Sequence, residues 1–446
     1  MSELIISVSG LRGVMGETLT PEIAARFVAA FVADLPAGPI VIGRDGRASG
    51  PELAAAIGAA LVAGGRDVRD AGAAATPTIG VLVRNLGAAG GVQISASHNP
   101  PQYNGLKLFS AEGRVITAAA GQKVIERFRS PHTPPFAEQL GSERTIEDTT
   151  SAHWNLIRSC IDVARIQQRQ FKVLLDSNHG AGSVMGARLL TELGCQITLV
   201  GPHPDGLFAH PPEPTAENLA SILARVRELG VDVGFCQDPD ADRLAVLDSN
   251  GRYIGEEATL AICVDHVLSQ RRGPVVTNCS TSRMSEDLAS KHSVPFSRSA
   301  VGEANVVDEM LRRGAVIGGE GNGGVIDPRV VLVRDSFIGM ALILDAMAAR
   351  DATVAELTDE LPRYTMHKDK VVLPREELPA AYAALERHFS NARFDRLDGL
   401  RLDWPGRWLL VRGSNTEPIV RLMSEAGTAD EAKRLCDAAA SVLGAL

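Results

Sequence analysis

The chain has 446 residues, more than one hydrophobic core organises, so its length predicts two to four domains. It is 45% hydrophobic and 22% charged, a globular composition, and its net charge of −9 argues against nucleic acid or an anionic membrane as partner. Its six cysteines are scattered, with no C-x-x-C pair and no zinc-like Cys/His spacing, which fits a reducing, cytoplasmic setting. No basic, apolar leader is visible at the N-terminus, and the apolar run 53–65 is too short for a membrane span and carries helical periodicity.

The opening segment ends in Ser9-Gly10-Leu11-Arg12-Gly13, a glycine-framed arginine after a strand-like start. Thr20-Pro21-Glu22 reads as an N-cap followed by proline at the first helical position, and Ile23, Phe27, Val28 and Phe31 recur at helical spacing. Pro39-Ile40-Val41-Ile42-Gly43 predicts a buried strand that delivers Arg44-Asp45-Gly46-Arg47 at its carboxyl end, where open α/β sheets bind ligands. A helix over 51–64 and further elements near 68–71 and 78–85 continue the alternation of a doubly wound sheet.

The stretch 91–107 stands out. An apolar approach to Ile94 gives way to Ser95-Ala96-Ser97-His98-Asn99, and Pro100 and Pro101 stop any helix or central strand. Asn104-Gly105 is a turn signal, with Lys107 just beyond it. A hydroxyl, an imidazole and an ammonium on one loop suit phosphoryl chemistry: Ser97 can carry the group, His98 can move a proton and Lys107 can balance phosphate charge.

Pro131, Pro134, Pro135 and Gly141, with charges to about Thr150, read as a linker. A second unit opens with the strand Phe171–Asp176 and a glycine-rich turn, best read as structural. Its next strand runs into Asp238-Pro239-Asp240-Ala241-Asp242-Arg243. In an extended segment the three carboxylates would share one side, and a hard divalent cation would relieve their repulsion. An EF-hand is excluded, because Arg243 and Ser249 stand where its glycine and bidentate glutamate belong.

A third α/β unit carries strands near 274–278 and 316–318, the turn Ala300-Val301-Gly302-Glu303, and Gly318-Gly319-Glu320-Gly321-Asn322-Gly323-Gly324. So many glycines predict a loop rather than a helix or a central strand. A helix over 378–389 and strands near 399–402 and 408–411 predict a small antiparallel C-terminal α+β domain. Its Arg412-Gly413-Ser414-Asn415-Thr416-Glu417-Pro418 string, with Arg421, is dense in donors and suits a phosphate dianion.

Four of these strings, in this order, resemble the signature loops of the α-D-phosphohexomutases: Ser-His-Asn-Pro with Asn-Gly-x-Lys, Asp-x-Asp-x-Asp-Arg, Gly-Glu-x-x-Gly, and Arg-x-Ser-x-Thr-Glu-Pro. Four positions depart from the family pattern. Pro239 replaces glycine in the metal loop, Gly413 replaces proline in the phosphate loop, and in the sugar-selecting loop Asn322 and Gly324 replace serine and histidine. The Glu-x-Asn-Gly-Gly form is similar to that of the archaeal-type phosphoglucosamine mutase branch.

The resemblance implies three similar mixed-sheet α/β domains (1–145, 146–250, 251–365) and a smaller α+β domain (366–446) around a central cleft. It implies Ser97 as a phosphoserine, with Arg12, His98 and Lys107 beside it, and Mg²⁺ held by Ser97, Asp238, Asp240 and Asp242. Arg243, Gly302, Glu320, Asn322, Arg412, Ser414, Asn415, Thr416 and Arg421 would bind the substrate. The implied reaction interconverts hexose 6-phosphate and hexose 1-phosphate, with hexose 1,6-bisphosphate as activator, in a monomer or homodimer acting on a small phosphosugar. Glucosamine phosphate is the first expectation, and glucose or mannose phosphate the second. Without the loop histidine, the proton shuttle falls to His98 or Lys107. The same serine and acidic cluster would also serve a metal-dependent sugar-phosphate phosphatase.

Overall fold

The computed structural model describes residues 4–130, 137–414 and 419–444. Its first unit is built on a seven-stranded sheet ordered Ile5–Ser7, Gly10–Val14, Tyr103–Ser110, Gly90–Ile94, Ile40–Arg44, Val68–Ala73, Glu143–Thr145. Ile40–Arg44 runs parallel to both its neighbours, whereas Tyr103–Ser110 runs antiparallel to Gly90–Ile94. The sheet is therefore mixed, not purely doubly wound. The reversal puts the 95–102 loop between two adjacent antiparallel strands, which fixes both of its ends.

Thr20 caps the helix Pro21–Val32 through the Ile23 amide, as the sequence predicts. Phe27, Leu53, Ile57, Ile40, Ile42 and Val92 form one buried cluster between helices and sheet. The stretch read as a linker is partly strand: Glu143–Thr145 adds in parallel to Val68–Asp70. Three exposed polar residues carry no strand pattern, so backbone pairing alone decides it.

The second unit has four strands ordered Leu244–Asp248, Val233–Gln237, Lys172–Asp176, Gln196–Val200, with only the first antiparallel. The third is ordered Phe296–Ser299, Val275–Asn278, Ile317–Glu320, Gly324–Ile326, again with one antiparallel edge strand. Here the strand near 316–318 is present but runs on through Gly319 to Glu320 and pairs with Gly324–Ile326, so only 321–323 are turn where the glycines predict a longer loop. A Cβ on Gly318 would stand 2.6 Å from both the Met310 sulfur and the Val276 carbonyl. Close packing of the helix Glu303–Arg313, which carries Met310, takes the space a side chain would need.

These two units share one core. The helix Ser336–Arg350 is buried from Ser336 to Met347 and packs against Glu256–Gln270, Val163–Arg169 and Gly182–Glu192. Burying each of its Leu, Ile and Phe side chains contributes about 1.5–3 kcal/mol, enough to lock the two sheets together. The C-terminal unit is smaller: an antiparallel sheet ordered Thr365–Val372, Ile419–Ala426, Arg407–Gly413, Leu400–Trp404, Arg393–Asp395, with helices Leu378–His388 and Ala429–Leu443. No described helix is long and apolar enough to cross a membrane.

Candidate active site

The 95–102 loop is held from behind. Asp45, buried at the end of Ile40–Arg44, accepts from Ser95 Oγ (2.7 Å), from the Arg47 amide (3.0 Å) and from Arg47 Nε (2.9 Å). The Arg47 guanidinium, 1% exposed, then donates to the carbonyls of Ser97 (2.6 Å), Asn99 (2.7 Å), Pro100 (2.7 Å) and Tyr103 (3.1 Å). This clamp holds Ser97 at φ +48°, a left-handed conformation that costs a non-glycine residue about 1–3 kcal/mol. The result is a buried serine whose Oγ donates to Asp238 Oδ2 at 2.7 Å.

Asp238, Asp240 and Asp242 are fully buried, and one oxygen from each lies within 4.8 Å of the others. The extended-chain expectation is corrected: residues 238–243 form a turn between two strands, with Ala241 at φ +56°. The carboxylates converge because the backbone curls, not because alternate side chains share a face. Asp238 Oδ1 accepts from the Arg243 amide (3.1 Å). Asp240 accepts from Thr76 Oγ1, and Lys107 Nζ bridges Asp240 and Asp242 at 2.6 Å each.

Burial and repulsion from Asp242 and Asp240 push the Asp238 pKa well above the usual carboxylate range. Burial pushes Asp240 and Asp242 up as well, but Lys107, joined at Asp242 by Arg334, outweighs it and holds both below that range. Asp240 Oδ1 and Asp242 Oδ1 are buried without a hydrogen-bond partner. Two orphaned anionic oxygens beside a third carboxylate and a serine hydroxyl form an all-oxygen donor set that fits a hard divalent cation.

His98 Nδ1 lies 3.4 Å from Ser97 Oγ. Burial and the charges of Arg243 and Arg12 push its pKa down to about 3, so the imidazole is neutral. Arg12, in the second strand, donates to Asn99 Oδ1 at 2.6 Å. Arg243 Nη1 faces Glu213 Oε1 at 3.8 Å.

Glu320 ends the strand Ile317–Glu320. Its Oε1 accepts from Asn278 Nδ2 (2.8 Å) and the Gly302 amide (3.2 Å), and its Oε2 from Arg334 Nη1 (2.9 Å). Asn322 Oδ1 is buried without a hydrogen-bond partner. Arg12, Lys107, Arg243, Gly302, Glu320, Asn322 and Arg334 line one cleft of about 620 Å³, with Lys368 and Met423 from the C-terminal sheet.

The C-terminal phosphate string is brought less close. Arg412 Nε donates to Asp398 Oδ1 (2.8 Å), and Asp398 Oδ2 accepts from the Val301 amide (2.9 Å), so Arg412 is tied to the turn carrying Gly302. Arg421 pairs across the sheet with Arg412, and the Ser414 amide donates to the Ile419 carbonyl at 2.8 Å. None of these three lines the cleft. Asn415 and Thr416 lie outside the described residues.

Sequence reasoning missed Arg334, Arg47, Thr76, Asn278 and Asp398. Asp45 and Arg47 sit in a segment whose position at a strand's carboxyl end gave a signal. Arg334, one arginine before a helix cap, gave none.

Models of the phosphoglucomutase/phosphomannomutase family match almost the whole chain: alpha/beta/alpha domain I at 4–134, domain II at 151–251, domain III at 256–364 and the C-terminal domain at 370–442. The chain is 38% identical over 435 residues to a Thermococcus kodakarensis protein named phosphoglucomutase/phosphomannomutase, with 95% of each covered. It is 34% identical over 434 residues to another from that organism, named probable phosphoglucosamine mutase, covering 96% of this chain and 95% of that one. The crystal structure of a phosphoglucomutase/phosphomannomutase family protein from Burkholderia thailandensis matches with TM-score 0.87 at 28% identity, over 99% of this chain and 98% of that one.

Proposed function

The chain belongs to the phosphoglucomutase/phosphomannomutase family and is a phosphomutase, and we propose that it interconverts glucosamine 6-phosphate and glucosamine 1-phosphate through phosphorylated Ser97. The observation that carries the reading is the Ser97 hydroxyl 2.7 Å from Asp238, within the converged acidic cluster.

In this reading a free sugar hydroxyl attacks the phosphorus on Ser97. The new sugar O–P bond forms, the Ser97 O–P bond breaks, and the hydroxyl proton leaves. The resulting hexose bisphosphate turns in the cleft and returns its other phosphoryl group to Ser97, so added hexose 1,6-bisphosphate acts as activator. Asp238, Asp240 and Asp242, with Ser97, would hold Mg²⁺, which supplies charge stabilisation for the transferring group. Arg12 and Arg243 line the cleft as further cations near that group. His98 Nδ1 stands 3.4 Å from Ser97 Oγ and Lys107 Nζ bridges Asp240 and Asp242, and the proton leaves by one of these two groups. Glu320 and Asn322 accept from sugar hydroxyls, and Arg412, Ser414, Asn415, Thr416 and Arg421 hold the non-reacting phosphate. A cytoplasmic setting goes with this reading, since all six cysteines are unpaired.

Support for the amino sugar comes from two acidic side chains of the cleft whose pKa values burial raises, so that a bound ammonium would offset the cost of their charged forms. Glu256 and Glu257 line it with no ion-pair partner among the described residues, and Glu256 Oε1 is a buried acceptor lacking a donor. An ammonium brings donors and one positive charge. The 38% identical relative named phosphoglucomutase/phosphomannomutase favours neutral hexose phosphates as the second reading.

A coupled assay with Mg²⁺ and a trace of hexose 1,6-bisphosphate distinguishes the two. Glucosamine 6-phosphate should exceed glucose and mannose 1-phosphates by at least about tenfold in kcat/KM, or about 1.4 kcal/mol, and Ser97→Ala should abolish turnover. A preference for the neutral hexoses would install the second reading. Full activity in the alanine variant would sink the mechanism.

A further inference from the structure

Position 324 is empty of side chain, and another residue fills its space. A Cβ built on Gly324 would lie 2.3 Å from Arg334 Cδ and 2.8 Å from Cγ. The backbone does not demand glycine there, since Gly324 is not among the residues of positive φ. Its partner in the ladder is Glu320, and the three residues between them form the turn of the glycine-rich hairpin.

The Arg334 side chain, 11% exposed, uses each guanidinium nitrogen on a different carboxylate. Nη2 donates to Asp242 Oδ2 (2.6 Å), Nη1 to Glu320 Oε2 (2.9 Å) and Nε to Glu303 Oε2 (2.8 Å). These acids stand at three separate places: in the acidic turn, at the end of the strand Ile317–Glu320 and at the start of the helix Glu303–Arg313. A planar fork with five fixed donors can span three acceptors in this way, and a lysine ammonium on a flexible stem cannot hold the same geometry.

We propose that Arg334 is the positioning residue that aligns Glu320 for the substrate and couples it to the metal-binding turn, and that residue 324 is glycine to admit it. The role given to Glu320 rests on the phosphomutase reading above, whereas the packing of Arg334 over Gly324 does not. Arg334 acts from behind: it holds one Glu320 oxygen while Asn278 and the Gly302 amide hold the other, leaving lone pairs on both for substrate donors. In the family pattern this position carries a histidine. Here the side chain that enters the same space arrives from ten positions further along the chain.

The test is a double-mutant cycle of Gly324→Ala and Arg334→Ala, with Arg334→Lys as the conservative variant. Thermal midpoints are read on chelator-treated protein, and kcat and KM on the Mg²⁺-loaded enzyme. Arg334→Ala should lose about 100-fold in kcat/KM, the scale of a misplaced binding group, and shift the ratio between hexose phosphates. Arg334→Lys should stay nearer the alanine variant than the wild type. Gly324→Ala should lower both activity and Tm in the wild-type background and do neither once Arg334 is alanine, because the methyl then enters vacated space. An equal penalty in both backgrounds would overturn the pairing. A lysine variant with wild-type kinetics would overturn the positioning role. If the wild type turns over no hexose phosphate, the phosphomutase reading fails, and the Tm cycle still decides the packing pair.

Discussion

At Ser97 the local chain is held against its own preference. A serine at φ +48° persists because Arg47 ties four carbonyls of the loop together while Asp45 anchors Arg47. Arg47→Met would leave Asp45 as a buried charge without its cation, a loss of about 3–5 kcal/mol. We expect that destabilisation in urea titrations, together with failure of Ser97 to retain phosphate by intact-mass measurement. A stable Arg47→Met protein with normal phosphorylation would show that the loop holds its shape unaided. The two roles separate: in the proposed reaction Ser97 would carry the phosphoryl group, and Arg47 fixes the loop shape that turns Ser97 Oγ toward Asp238.

Among the elements, the strand Lys172–Asp176 ends on a carboxylate that fastens the following loops. Asp176 Oδ2 accepts from His210 Nε2 at 2.7 Å, and Asn178 Nδ2 donates to the His210 carbonyl at 3.0 Å. Burial pushes the His210 pKa down, but the hydrogen bond and charge of Asp176 outweigh it, and the net shift is above the ordinary 6.5. A raised folded pKa means that protonation favours the fold. Its contribution is complete below about pH 6.5 and is lost as pH rises through the folded value. The stability gap between wild type and His210→Gln should therefore be widest near pH 6 and narrow by about pH 9. A gap that does not change with pH would mean that the neutral hydrogen bond does all the work. Of the elements around this point, the strands Lys172–Asp176 and Val233–Gln237 were legible from their apolar runs. Glu143–Thr145 was not, because its backbone pairing leaves no side-chain signature. Nor was the run of the strand near 316–318 on through Gly319 to Glu320, where Gly319 answers to the Gly324 carbonyl and Leu260 rather than to a turn.

For the whole molecule, the central feature is a cluster of buried acids countered by cations from three units: Lys107 from the first, Arg243 from the second and Arg334 from the third. A cation that binds the folded cluster and not the unfolded chain stabilises the fold by mass action. Mg²⁺ at a hundred times its Kd should add about 2.7 kcal/mol, seen as a rise in Tm that Asp240→Asn removes. No rise in the wild type would sink the metal reading. The motifs carrying this chemistry were readable in advance, because Ser97-His98, the Asp238–Asp242 string and Glu320 each lie within a few consecutive residues. Contiguity records chemistry that a single loop performs. The sequence by itself thus determined the family and the mixed α/β architecture with its smaller C-terminal unit, and it singled out Lys107, Arg243 and Glu320, which line one cleft. Only the tertiary structure decided which groups stand between those loops. Arg334 lies far along the chain from Asp242 and close to Glu320 for no reason local sequence records, and only the packed fold sets its three nitrogens against carboxylates of a turn, a strand end and a helix start.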